Sequence, residues 1–199
     1  MMLAAHMLDR IRFRPARKEE SRIIAELFSI SSDGVADYTW STLTEPGDDI
    51  LDVGERRYSR EDTQFSYQNC TIAEIAGDIL GMIAAFPMET EDSNYREKDI
   101  DPILAPYTKL EQLNSYYIAG MAVFPEHRGK GIGSKFLEIA EQQAKGLGLN
   151  QISLIVFEEN RGAKRLYDRH GYYEIAREKV VPHELIHYAG HALLMVKDI

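Results

Sequence analysis

Arg128-Gly129-Lys130-Gly131-Ile132-Gly133-Ser134 places three glycines and two cations in seven residues, between an apolar strand-like run and a helix-like one. Glycine lacks a Cβ, so the backbone at these positions can approach a ligand closely. The loop enters a predicted helix at its N-terminus, where unsatisfied N–H groups and the helix dipole favour a pyrophosphate. Arg128 and Lys130 add positive charge. The stretch therefore reads as an anion cradle. A turn that only connects two elements is the plain alternative for three glycines alone.

Two familiar phosphate loops do not fit. A Walker A loop needs Gly-Lys-Ser/Thr after a glycine and four residues, but here Lys130 comes too early and Ile132 follows Gly131. A dinucleotide fingerprint needs a third glycine where Ser134 stands.

Working outward, Tyr116 to Phe124 is apolar almost without a break, which predicts a central strand covered on both faces. Ile132 to Gly146 sets Ile132, Phe136, Ala140 and Ala144 four apart on one helix face. Gln151 to Phe157 is a second apolar strand. Asn160 is placed to cap a helix that stops at Gly171. Tyr172 to Glu178 and Ala192 to Val196 read as closing strands.

The earlier half is less regular. Ile11 to Arg14 predicts a short strand, and Lys18 to Ile30 a helix with Ile23, Ile24, Leu27 and Phe28 on one face. From Ser31 to Gly47 no period is visible. Asp48 to Glu61 reads as a helix interrupted by Gly54. Asn69 to Ala76 and Ile79 to Phe86 form a hairpin pattern about Gly77-Asp78. Pro87 to Ser115 is a long acidic insertion with a short helix predicted over Pro102 to Leu113, and its length suits a binding loop or lid. Alternating strands and helices late in the chain, with a hairpin earlier, indicate an α/β or α+β fold with a mixed sheet.

With both nucleotide loops set aside, Arg128, Gly131 and Gly133 resemble the Arg/Gln-x-x-Gly-x-Gly/Ala coenzyme A loop of the GNAT (Gcn5-related N-acetyltransferase) superfamily. Met121-Ala122-Val123-Phe124-Pro125-Glu126-His127 is similar to the strand that approaches it. A second block, Asn-x-x-Ala-x-x-Leu-Tyr-x-x-x-Gly-Phe/Tyr, is met in register by Asn160, Ala163, Leu166, Tyr167, Gly171 and Tyr172. The resemblance is strong over residues 116–178. It implies one GNAT domain over residues 1–199, with a mostly antiparallel central sheet flanked by helices and a splay between the fourth and fifth strands.

It implies equally an acetyl-CoA-dependent N-acetyltransferase that moves the acetyl group directly to a primary amine in a ternary complex, with no metal required. The coenzyme would be held by Met121, Ala122, Val123, Arg128, Gly129, Lys130, Gly131, Ile132, Gly133, Ser134, Asn160, Ala163 and Tyr167. Tyr167 matches the tyrosine that protonates the leaving thiolate; packing of an aromatic ring against the sheet is its plainer role. An alkyl amine titrates near pH 10, so roughly one molecule in a thousand is nucleophilic at neutral pH and a proton acceptor is useful. Some members carry a glutamate on the fourth strand. Here that place falls at Tyr117, a poor base that can position a water or the amine, and the base is unassigned. A noncatalytic acyl-CoA-binding or regulatory module on the same fold is the alternative function.

His183-Glu184-Leu185-Ile186-His187 is a literal H-E-x-x-H, and on a helix it would set both histidines on one face, as zinc peptidases require. The extended form needs a histidine where Leu193 stands, while His191 comes two residues early, so no metal site is predicted. On the transferase reading, His183, His187 and His191 lie near the acceptor side, as contacts or as solvated loop residues.

The acceptor regions contain Tyr38, Trp40, Tyr58, Tyr95 and Tyr107 with Asp48, Asp49, Asp52, Glu89, Glu91 and Asp92. Aromatics beside carboxylates suit a small cationic amine, with a peptide amine as the other choice. The formal net charge of −9 argues against nucleic-acid partners, which need a basic face. Of 199 residues, 44% are hydrophobic and 28% charged, which is ordinary for a globular chain. One cysteine, Cys70, leaves no internal disulfide or Cys-based metal framework. No apolar run is long enough to span a bilayer and no signal-like start is present, so a cytoplasmic protein without a membrane partner is expected, with a homodimer allowed.

Overall fold

The computed structural model describes residue 8 and residues 10–88 and 101–199. The chain clusters into two compact units, residues 1–85 with 120–136, and residues 86–119 with 137–199.

In the first unit, β1 (Arg12–Pro15), β2 (Cys70–Ile75) and β3 (Asp78–Met88) pair antiparallel in sequence order. The β2–β3 turn is made by Ala76 and Gly77, both at positive φ (52° and 96°), one residue earlier than the sequence indicates. This is the backbone of a tight hairpin turn whose twist matches the strands. Beside these strands lie three helices, α1 (Ser21–Ser31), α2 (Val35–Ser41) and α3 (Ile50–Tyr58). The predicted Lys18 start of α1 is a single 3₁₀ turn, Lys18–Glu20. α3 is not interrupted at Gly54. A Cβ there would come 2.8 Å from both the Ala25 Cβ and the Trp40 ring, so the small residue is where α1 and α2 close on α3. Asp49 and Asp52 form a reciprocal capping box at its start (3.0 and 3.1 Å).

In the second unit, α4 (Ala105–Thr108) precedes β4 (Ser115–Val123), whose first half lies here. α5 (Ile132–Gly146), β5 (Gln151–Phe157), α6 (Arg161–Arg169), β6 (Tyr173–Lys179) and β7 (His191–Asp198) follow. β5 pairs antiparallel with β7, and β7 with β6. β4 and β5 are parallel over three pairs, Tyr116↔Ile152 to Ile118↔Leu154, and the register stops there, which is the predicted splay. The hydrogen-bonded strand order is β1-β2-β3-β4-β5-β7-β6.

The burial of β4 differs from expectation. Tyr116, Ile118, Gly120 and Ala122 are buried, but Tyr117, Ala119, Met121 and Val123 are only half-buried. Successive side chains alternate across a strand, so these four share one partly open face. Among the described residues no helix is long and apolar enough to cross a membrane.

Candidate active site

β4 delivers the chain to the glycine loop through a 3₁₀ turn, Pro125–His127, and Phe124 N–H donates to the Leu80 carbonyl (2.9 Å). Gly129 and Gly131 take φ of 74° and 85°, the left-handed region that side chains resist. An added Cβ would meet nothing within 4 Å at Gly129, whereas at Gly131 it would lie 2.8 Å from Leu8. The Gly131 carbonyl accepts from Lys135 N–H (3.1 Å) at the start of α5. The 15-residue helix α5 thus starts directly behind the loop, and its dipole puts partial positive charge at that end.

The two cations of the loop brace it. Arg128 Nε donates to the Val123 carbonyl (2.9 Å), and Lys130 Nζ donates to the Glu126 carbonyl (2.8 Å) and lies 3.4 Å from His127 Nδ1. Arg128 is otherwise exposed, and Ile132 is buried beneath the loop. Positive-φ glycines, a helix start and an exposed guanidinium fit a pyrophosphate. In the first unit the structure thus brings together Met121, Ala122, Val123 and residues 128–134.

In the second unit Asn160 caps α6: its Oδ1 accepts from Ala163 N–H (3.2 Å). The helix ends at Arg169, and Gly171 at φ 83° turns the chain so that Tyr172 N–H reaches the Tyr167 carbonyl (3.1 Å). This folds the Tyr172 ring onto Tyr167, with centroids 5.8 Å apart. Tyr167 is 7% exposed. Tyr117 packs edge-on to Phe86 (5.8 Å), and burial, together with the charges of Glu111 and Tyr167, pushes its phenol well above the ordinary value of 10.0. A phenol so disfavoured as phenolate is a donor at neutral pH and does not serve as a base.

The acceptor candidates divide. Tyr38, Trp40 and Tyr58 are core residues around Phe28, whose ring lies 6.3 Å from Trp40 and 5.2 Å from Tyr58. Asp48 pairs with Arg56, while Asp49 and Asp52 cap α3 and bind Arg22. Tyr107 packs on Phe157 (6.0 Å) in the second unit. Tyr95, Glu89, Glu91 and Asp92 lie outside the described residues.

Residues 183–187 form a turn rather than a helix, and His183 Nδ1 accepts from Leu185 N–H (3.2 Å). The i, i+4 face needed by H-E-x-x-H is therefore not made. His191 opens β7, with Nδ1 3.2 Å from Glu158.

The acetyltransferase (GNAT) family model matches residues 34–172. An uncharacterized N-acetyltransferase, YycN of Bacillus subtilis (strain 168), is 33% identical over 58 residues, 29% of this chain and 37% of the relative, so the match spans little more than a third of that protein. The crystal structure of an acetyltransferase superposes with a TM-score of 0.64 at 27% identity, covering 94% of this chain and 98% of the other. An N-acetyltransferase from Staphylococcus aureus Mu50 shares the fold (TM-score 0.67, 22% identity, 94% and 100% covered).

Proposed function

From the premise that the chain belongs to the acetyltransferase (GNAT) family, we propose that it transfers an acetyl group from acetyl-CoA to a primary amine, by direct attack in a ternary complex. The observation that carries this reading is the braced loop at the start of α5, with Gly129 and Gly131 at positive φ.

In the proposed reaction the pyrophosphate of the coenzyme is held by the backbone of residues 129–134 and by Arg128, and the pantetheine arm by the half-buried β4 edge at Met121–Val123. The acetyl group makes acetyl-CoA a substrate. The neutral amine attacks the thioester carbonyl, forming the C–N bond. Collapse breaks the C–S bond, and Tyr167 gives its proton to the departing thiolate. Tyr167 regains its proton from the nitrogen, which loses one proton in passing from neutral amine to amide. A buried phenol suits the acid role because proton transfer by a positioned side chain lowers the barrier without a bulk-water ion. Tyr117, kept protonated by its surroundings, orients the amine or a water.

A small cationic acceptor is favoured over a neutral one by the net charge of −9 and by the aromatics of the second unit. The test is thiol release from acetyl-CoA across a panel of alkyl diamines, arylalkylamines, amino sugars and short peptides. Amine-dependent release with a preference for cationic acceptors supports the proposal. Tight coenzyme A binding with no amine-dependent release selects the noncatalytic acyl-CoA-binding module instead.

A further inference from the structure

Resting on the reading of the glycine loop as the coenzyme cradle, we propose that Leu8 is a latch on it. In the free protein its side chain covers Gly131, and it must withdraw before the pyrophosphate of coenzyme A reaches the loop.

The latch is anchored from β1. Phe13 packs edge-on to Phe136, a fully buried residue one turn past Ile132 in α5, with centroids 5.4 Å apart and planes at 90°. β1 therefore starts beside the N-terminal end of α5, which is also the end that carries the loop. Ile11, just ahead of β1, is buried, and its N–H donates to the Leu8 carbonyl (3.0 Å). That bond ties Leu8 to the anchored residue three positions on.

The Leu8 side chain lies on the second left-handed glycine of the loop. The Cβ that Gly131 lacks would stand 2.8 Å from Leu8 Cδ1, 3.7 Å from Cγ and 3.8 Å from Cδ2. The whole isobutyl group thus occupies the opening that the missing side chain leaves. At Gly129 the same added atom meets nothing within 4 Å. One of the two positive-φ glycines is open and the other is covered. A glycine at such a φ lets another group approach the backbone closely, and here an apolar group of the same chain has taken that approach.

Leu8 and a pyrophosphate exclude one another at Gly131. An isobutyl group makes no hydrogen bond, so an anion pressed against it loses hydration without a replacement partner. The hold is light, because Leu8 is only half-buried and leaves less apolar surface to re-expose than a core leucine. The latch therefore divides the free protein between covered and uncovered cradles. The apparent Kd for the coenzyme is its intrinsic value divided by the uncovered fraction.

Two measurements test this. Calorimetric titration with coenzyme A compares wild type with Leu8→Ala, and the variant's Kd should be lower by about three- to ten-fold. The second uses the wild-type protein alone. Arg10 is exposed, and the Arg10–Ile11 bond lies inside the segment that the Ile11–Leu8 hydrogen bond holds. Trypsin cleavage after Arg10, followed by mass spectrometry, should accelerate when coenzyme A is added. A Leu8→Ala Kd equal to that of wild type overturns the latch. A weaker one also overturns it, because Leu8 would then belong to the bound site. Cleavage after Arg10 that coenzyme A slows or leaves unchanged has the same force. A wild-type protein that binds no coenzyme A overturns the cradle and the latch together. One that binds it but releases no thiol with any amine removes the transferase reading and leaves the latch standing.

Discussion

Arg128 Nε donates to the carbonyl oxygen of Val123 at 2.9 Å, so the cation of the glycine loop is tied to the last residue of the strand that feeds it. One side chain thereby sets the angle between β4 and the loop while its outer nitrogens remain at the surface. Removing it affects both the shape of the anion cradle and its charge.

Arg128→Ala is therefore expected to raise the acetyl-CoA KM about ten-fold or more, the size of one lost charge-assisted hydrogen bond, with a smaller change in kcat. Arg128→Lys should recover little, because an ammonium does not offer the guanidinium's fixed Nε–H alongside a second donor pair. Steady-state kinetics with acetyl-CoA varied at saturating amine decides this.

Gly81 faces the Ala122 carbonyl so closely that a Cβ on it would collide with that oxygen and stand 3.0 Å from the Val123 Cα. Both partners are backbone, which cannot swing aside. Gly81→Ala should cost about 1–3 kcal/mol and lower the melting temperature by several degrees. It should also weaken coenzyme A binding, because it displaces the Ala122–Val123 edge. Thermal melts with and without coenzyme A separate the two effects.

Tyr167→Phe keeps the packing on Tyr172 and removes the proposed acid. Its kcat should fall by about 100-fold with little change in the acetyl-CoA KM. Tyr117→Phe should act chiefly on the amine KM. A Tyr167→Phe variant with wild-type kcat in the thiol-release assay would refute the acid role.

Arg14, 8% exposed, holds Glu20 (Nη2–Oε1 2.6 Å) and Glu74 (Nε–Oε2 2.8 Å) beneath β1 and β2. Its hydrogen bonds pull both carboxyls below their ordinary value of 4.5. A depressed carboxyl contributes stability that is present above the unfolded value and lost as pH falls through the folded one. Stability should therefore decline below about pH 4.5, and Glu20→Gln should flatten that decline while lowering stability near neutrality. Denaturant titrations from pH 3 to 7 measure both slopes.

The parts legible from residue order were those governed by neighbours in the chain. Ile132–Gly146 and Gln151–Phe157 occur with the predicted bounds, since periodic apolar faces and helix-end residues are local properties. α2, Val35–Ser41, was missed: its buried Ala36, Tyr38 and Trp40 stand two apart and are too few to show a helical period, and the helix is held by packing on α1 and α3. H-E-x-x-H was a correct string in the wrong conformation, because residues 183–187 form a turn in the connection between β6 and β7.

By itself the sequence determined the elements proposed to hold the donor. The glycine positions that demand positive φ, the Asn160 cap and the Tyr167–Tyr172 block are each written in consecutive residues, and backbone sterics and capping act over that same range. Only the tertiary structure decided where the acceptor candidates of the sequence lie. It sent Trp40 and Tyr58 into the core and matched Asp48 and Asp52 with arginines. Burial and ion pairing depend on what folds around a side chain, and no spacing along the chain encodes them.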